Sequence, residues 1–160
     1  MPLNPLTALS PLDGRYAAQL DALRPYFSEF GLIRHRVRIE IEWLLALAAD
    51  PALKEIGPFS AATVAELKAL VEQFDTADGE RVKAIEAETN HDVKAIEYWL
   101  KERVRGNAEA LQAAEFIHFA CTSEDINNLA YALALQGGRD AVLLPALDEL
   151  VERLRSLAHE

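Results

Sequence analysis

The 160 residues are 51% hydrophobic and 26% charged, enough apolar material to bury a core and too much for an intrinsically disordered protein. The formal net charge of -10 argues against a general nucleic-acid binder, whose phosphate contacts need a basic face, so any phosphate must meet a local cluster of donors. One cysteine, Cys121, rules out an intrachain disulfide, and no run approaches the ~20 apolar residues that cross a bilayer, which together point to a reducing, cytoplasmic setting without membrane contact.

At the amino terminus Pro2, Pro5 and Pro11 remove amide donors and restrict the backbone, which predicts an irregular arm ending at Asp13-Gly14. Gly14 can take a backbone conformation barred to other residues and would present Arg15 and Tyr16 from a tight corner. A planar cation beside a phenol suits an anionic ligand; a helix start with an exposed arginine explains the same residues. From Ser28 to Ala49, Ile33, Val37, Ile41, Leu44 and Ala48 recur at steps of three and four and predict a packed amphipathic helix. The charged residues fall largely between them, and the run Arg34-His35-Arg36-Val37-Arg38 reads as a solvated or subunit-facing surface. Pro51 and Gly57-Pro58 break the chain before a helix capped by Ser60 and carrying Val64, Leu67, Leu70 and Phe74. A third helix is expected from Asp78 to Glu88.

Two corners then repeat one spacing. Thr89 and Asp92 precede Val93, Ile96, Leu100 and Val104, while Thr122 and Asp125 precede Ile126, Leu129, Ala130, Leu133 and Ala134; each pair has the form of a capping box that satisfies two amides of a first helical turn. Most such tetrapeptides are caps and nothing more. The first corner also displays Asn90 and His91, which can donate to an anion or exchange a proton near neutral pH. The second adds Ser123, so that two hydroxyls and free amides stand at the positive end of a long helix, a setting suited to a carboxylate or phosphate. Between the corners, a break at Gly106-Asn107 and a short helix from Leu111 to His118 are expected, with His118 a partly buried structural residue. The last stretch, Ser123 to Glu160, reads as one long helix whose second half carries Leu143, Leu147, Leu150, Leu154 and Leu157. A bend is expected between Gly137-Gly138 and Pro145, because proline removes the bond to the carbonyl of Ala141. The fold class is all-α, and no glycine-rich phosphate loop or metal-ligand spacing appears.

Three blocks, Ser10-Pro11-Leu12-Asp13-Gly14-Arg15-Tyr16, Thr89-Asn90-His91-Asp92-Val93-Lys94 and Phe116 to Asn128 (FIHFACTSEDINN), closely resemble the adenylosuccinate lyases of the fumarase/aspartase superfamily. The resemblance runs the length of the chain. It implies a cytoplasmic, cofactor-free homotetramer of purine biosynthesis that eliminates fumarate from adenylosuccinate and from succinylaminoimidazole carboxamide ribotide. It also implies an amino-terminal helical domain over 1–122 and the start of a central bundle helix over 123–160. Residue by residue, Arg15 and Tyr16 are implied to hold the nucleotide phosphate, and Asn90, His91 and Asp92 to line the substrate site, His91 with an auxiliary catalytic role. Thr122 and Ser123 are implied to hold a carboxylate of the fumarate moiety. Members of the family also carry a Thr-His-Gly-Gln-type block with the general acid and a Ser-Ser-x-Met-Pro-x-Lys-type block with the catalytic serine. Neither occurs in this sequence, and none of His35, His91, His118 and His159 stands in such a context, so the chain by itself is expected to be inactive. The alternative is a stand-alone helical interaction module that uses the apolar stripe of its last helix.

Overall fold

The structure, a computed structural model, describes residues 4–160; Pro2 of the expected arm lies outside the described residues. The helices are α1 Arg24–Phe27, α2 Glu29–Ala49, α3 Ala61–Glu72, α4 Thr76–Thr89, α5 Asp92–Arg103, α6 Ala108–Gln112, α7 Ser123–Gly138 and α8 Leu144–His159. Short 3-10 turns occupy Ala17–Gln19, Asp21–Leu23, Val104–Gly106 and Ala114–Phe116, and one π turn spans Arg139–Leu143. No strand occurs among the described residues, and the chain is all-α. It divides into two compact units: Leu32–Ala132, and the described residues up to Gly31 together with Leu133–Glu160.

The unit Leu32–Ala132 holds most of the core. Every apolar position of the α2 stripe, Ile33, Val37, Ile41, Leu44 and Ala48, is buried, as are Val93, Ile96, Leu100 and Val104 on and just after α5. Trp99 stands edge-on to Phe74, with ring centroids 5.2 Å apart, and anchors α5 against the end of the α3 segment. Ser60 caps α3 as expected, its hydroxyl accepting from the amide of Thr63 at 3.3 Å. Ser60→Ala is expected to lower unfolding free energy by about 1 kcal/mol. A urea midpoint equal to the parent's would mean that the cap adds nothing.

Three predicted boundaries move, the first at the end of α3, which stops at Glu72 and leaves Phe74 beyond it. The third helix begins at Thr76 because Asp75, not Asp78, caps it: Asp75 accepts from the amide of Asp78 while the Asp78 carboxylate takes the amide of Asp75. The short helix expected from Leu111 to His118 is instead α6 followed by a 3-10 turn and an irregular loop. Asn107 caps α6 from the Gly106 break, and both His118 and Ala120 have left-handed backbones, with φ of 64° and 59°. Leu129, counted in the apolar stripe of α7, is 53% exposed, while its stripe-mates Ile126, Ala130 and Ala134 are buried.

In the other unit the glycines matter for closeness rather than for unusual dihedrals. Gly14 does not use the positive φ open to it; a Cβ there would stand 2.8 Å from the carbonyl oxygen of Pro5, so the arm closes on a residue without a side chain. Gly137 and Gly138 work the same way at the end of α7. A Cβ on either would come within 2.5 Å of a ring carbon, of Tyr26 and Phe27 respectively. The disturbance expected between Gly138 and Pro145 is the π turn, in which the amide of Leu144 reaches back to the carbonyl of Arg139. Beyond it α8 has no buried residue, and Leu143, Leu147, Leu150, Leu154 and Leu157 all stand in the open.

Candidate active site

The first corner is built differently from the capping box the spacing suggested. Thr89 is the last residue of α4, its hydroxyl turned back to the carbonyl of Ile85, and Asn90 follows as a left-handed C-cap with φ 51°. The cap of α5 is His91: its Nδ1 accepts from the amide of Lys94 at 3.1 Å. The box fails because Thr89 is spent on ending the preceding helix, three residues before the next begins. With Nδ1 accepting, the proton of the neutral imidazole sits on Nε2, which leaves an outward donor on a half-exposed ring. Asp92 occupies the first turn of α5. Burial pushes its carboxyl up, but the amide of Val93 and the guanidinium of Arg36 together hold it below the usual carboxylate range.

At the second corner the expected contact forms in part. The carboxylate of Asp125 accepts from the amide of Thr122 at 2.7 Å and from its hydroxyl at 2.9 Å, and these bonds hold Asp125 below the usual range. The Thr122 hydroxyl therefore donates to the carboxylate rather than accepting from an amide of the first turn. Ser123 opens α7 and is partly exposed, beside the amides of that turn.

What joins the two corners is a polar stripe on α2 that the sequence reading did not foresee. Arg36, read as surface, is 5% exposed: its Nε donates to Asn127 of α7 at 2.9 Å and its Nη2 donates to Asp92 of α5 at 2.7 Å. One turn on, Glu40 is wholly buried with Oε1 2.6 Å from Nδ1 of His118, and Trp43 donates from Nε1 to the carbonyl of Phe119 at 2.8 Å. Residues 36, 40 and 43 share one face of the helix. They grip, in turn, both helix starts and the loop leading into the second. A usable signal was present in the periodicity: Arg36 and Glu40 lie a turn apart and flank the core positions Val37 and Ile41.

His118 is mostly buried, in keeping with its reading as a structural residue. Burial pushes the carboxyl of Glu40 up, the bond and charge of His118 pull it down, and Glu97 adds to the upward push. Its Oε2 is buried without a partner. A carboxyl whose folded pKa lies above its unfolded value adds stability below the unfolded pKa and loses it as pH rises through the folded one. Glu40→Gln, which keeps a bonding group for His118 and removes the buried charge, is therefore expected to match or trail the parent in acid and to be the more stable at neutral pH. Urea unfolding at two pH values checks the crossover, and a parent that is the more stable at both contradicts it.

Arg15 and Tyr16 belong to the other unit. The guanidinium of Arg15 lies over the Tyr16 ring, 5.2 Å from its centroid, and both residues are exposed. Within Leu32–Ala132, His91, Asp92, Thr122 and Ser123 are carried on elements that Arg36 connects; Asn90 adjoins them on the link before α5. Among the described residues, no cluster of three or more His, Cys, Asp or Glu side chains is placed to hold a metal ion, and no helix is long and apolar enough to cross a membrane.

The sequence of this chain has counterparts among known proteins. Residues 14–160 match the family model described as lyase, and the chain belongs to that family. Within it the chain is similar to adenylosuccinate lyases. It is 51% identical over all of its 160 residues to that of Haemophilus influenzae, 51% identical over 158 residues (99% of the chain) to that of Escherichia coli K12, and 42% identical over all of its residues to that of Legionella pneumophila strain Corby. The chain spans about a third of the length of these curated relatives, 35% in each case.

Proposed function

We propose that the chain is the amino-terminal part of an enzyme that eliminates fumarate from adenylosuccinate, giving AMP, and from succinylaminoimidazole carboxamide ribotide. The observation that carries this reading is the pair of helix starts tied together by Arg36, in a chain half identical to adenylosuccinate lyases. In such a β-elimination the proton lost lies next to a carboxylate, so negative charge grows on that group as the carbanion forms. Donors fixed beforehand stabilise that state more than the ground state. Ser123 and the amides of the first turn of α7 take the carboxylate, joined by the Thr122 hydroxyl when it turns away from Asp125; Asn90, His91 and Asp92 line the substrate site; Arg15 and Tyr16 hold the nucleotide phosphate. The general acid and the catalytic serine come from residues beyond these 160. Residues 1–122 then make the amino-terminal domain and 123–160 the start of a bundle helix in a cytoplasmic homotetramer that binds neither nucleic acid nor membrane. Replacing the aligned segment of the E. coli relative with this chain, in cells lacking their own adenylosuccinate lyase, tests the reading: purine-independent growth is expected, and a folded, expressed chimera that fails to restore it contradicts it.

The exposed leucines of α8 support the assembly. Uncovered apolar area is unfavourable by about 25 cal/mol per Å², and a helix with no buried residue gains nothing from packing until a partner arrives. The isolated chain is expected to self-associate, with light scattering giving a multiple of its 17.7 kDa, or to show unprotected amides in α8 when dilute. A monodisperse monomer with strong protection from Ala141 to Leu157 is the contrary result.

A further inference from the structure

We propose that Arg36 is a positioning residue for ligand binding, fixing the separation and orientation of the His91 and Thr122–Ser123 helix starts through the two arms of one guanidinium. Its side chain is all but excluded from solvent, yet both of its bonds leave its own helix: one goes to Asn127, five residues into the α7 segment that begins at Ser123, and the other to Asp92, next to the histidine that caps α5. A buried arginine kept only for packing needs its charge balanced; it does not need two partners on two different elements. The planar fork is what makes the arrangement rigid, since Nε and Nη2 have a fixed angle between their donors. The neighbouring grips reinforce the same span. Glu40 holds His118 and Trp43 holds the carbonyl of Phe119, so the loop entering Thr122 is pinned to the helix that carries Arg36.

A lysine can neutralise Asp92 but cannot reach both partners with one directional fork, so Arg36→Lys separates charge from positioning. Two measurements are needed, because the kinetic arm rests on the lyase reading and the spectroscopic arm does not. In the chimera with the E. coli relative, Arg36→Lys is expected to lower kcat/KM for adenylosuccinate at least tenfold, with KM raised, while the remote cap variant Ser60→Ala, comparably destabilised, stays within twofold of the parent. In the 15N-labelled 160-residue chain, Arg36→Lys is expected to shift the amides of Ser123 and of Lys94 together and to leave that of Leu67 in place. Asn127→Ala, which cuts one arm, is expected to shift Ser123 and spare Lys94; it also serves as the deciding variant, in both measurements, if the lysine chain does not fold. An inactive parent chimera with the expected amide shifts overturns the lyase reading and leaves the positioning role standing. Kinetics of Arg36→Lys within twofold of an active parent, or an Arg36→Lys chain whose amides shift at only one helix start, overturn the positioning role; so, for a lysine chain that does not fold, does an Asn127→Ala chain with parental kinetics and an unmoved Ser123 amide.

Discussion

Asp92→Ala is expected to lower unfolding free energy by about 3 kcal/mol, more than removal of its partner, because it strands the buried member of the pair. Arg36 is 5% exposed and keeps its charge, whereas the Asp92 side chain is 44% exposed and can be solvated when left alone. Arg36→Leu should therefore do less damage, about 1 to 2 kcal/mol, most of it the lost bond to Asn127 and the imperfect fit of leucine. The double variant should recover part of the loss of Asp92→Ala. The pH dependence has a definite sign: a carboxyl with a depressed folded pKa contributes stability above its unfolded pKa and gives it up as pH falls through the folded value. Asp92 is held below its usual range, so the deficit of Asp92→Ala should be full at neutral pH and shrink in acid. Urea unfolding at several pH values measures all four chains. An Arg36→Leu chain less stable than Asp92→Ala would show that the exposed partner, not the buried one, sets the energetics.

The second large effect concerns His91, whose observed role as a cap and proposed role in the site one substitution can separate. Nδ1 caps α5, and the ring offers a donor or a proton carrier at the corner. Asparagine is among the best N-cap residues, so His91→Asn should preserve the helix start to within a few tenths of a kcal/mol. In the active chimera the same change is expected to reduce fumarate release about a hundredfold, the lower end of what a proton-transfer group contributes, since His91 assists a general acid and a serine supplied elsewhere. His91→Ala should show that loss together with a drop in stability of about 1 kcal/mol. Turnover of His91→Asn equal to the parent's would confine His91 to its role as a cap.

Much of the fold was legible because it follows from apolar spacing. The α2 stripe and the α5 stripe are buried as the steps of three and four require, and Ser60 caps where a hydroxyl precedes a periodic run. The corners were legible as places and less so as geometry. At Thr89 the hydroxyl that matched a capping box was already committed to ending α4, which local spacing cannot reveal when two helices lie two residues apart. Arg36 was misjudged, and Glu40 passed over, for a related reason. Charged residues between apolar positions normally face water, and only partners far along the chain, Asp92, Asn127 and His118, draw these two inside. Gly14 and Gly137-Gly138 carried a readable signal, of a backbone left bare for a neighbour to approach, with no positive φ at any of them.

Fumarate release by the purified chimera, followed with adenylosuccinate as substrate, tests the functional assignment most directly. With this chain in place of the aligned third of the E. coli relative, turnover is expected within about tenfold of the relative's, since both helix starts are held by the chain's own bonds through Arg36. A correctly assembled chimera that binds adenylosuccinate and releases no fumarate would contradict the assignment.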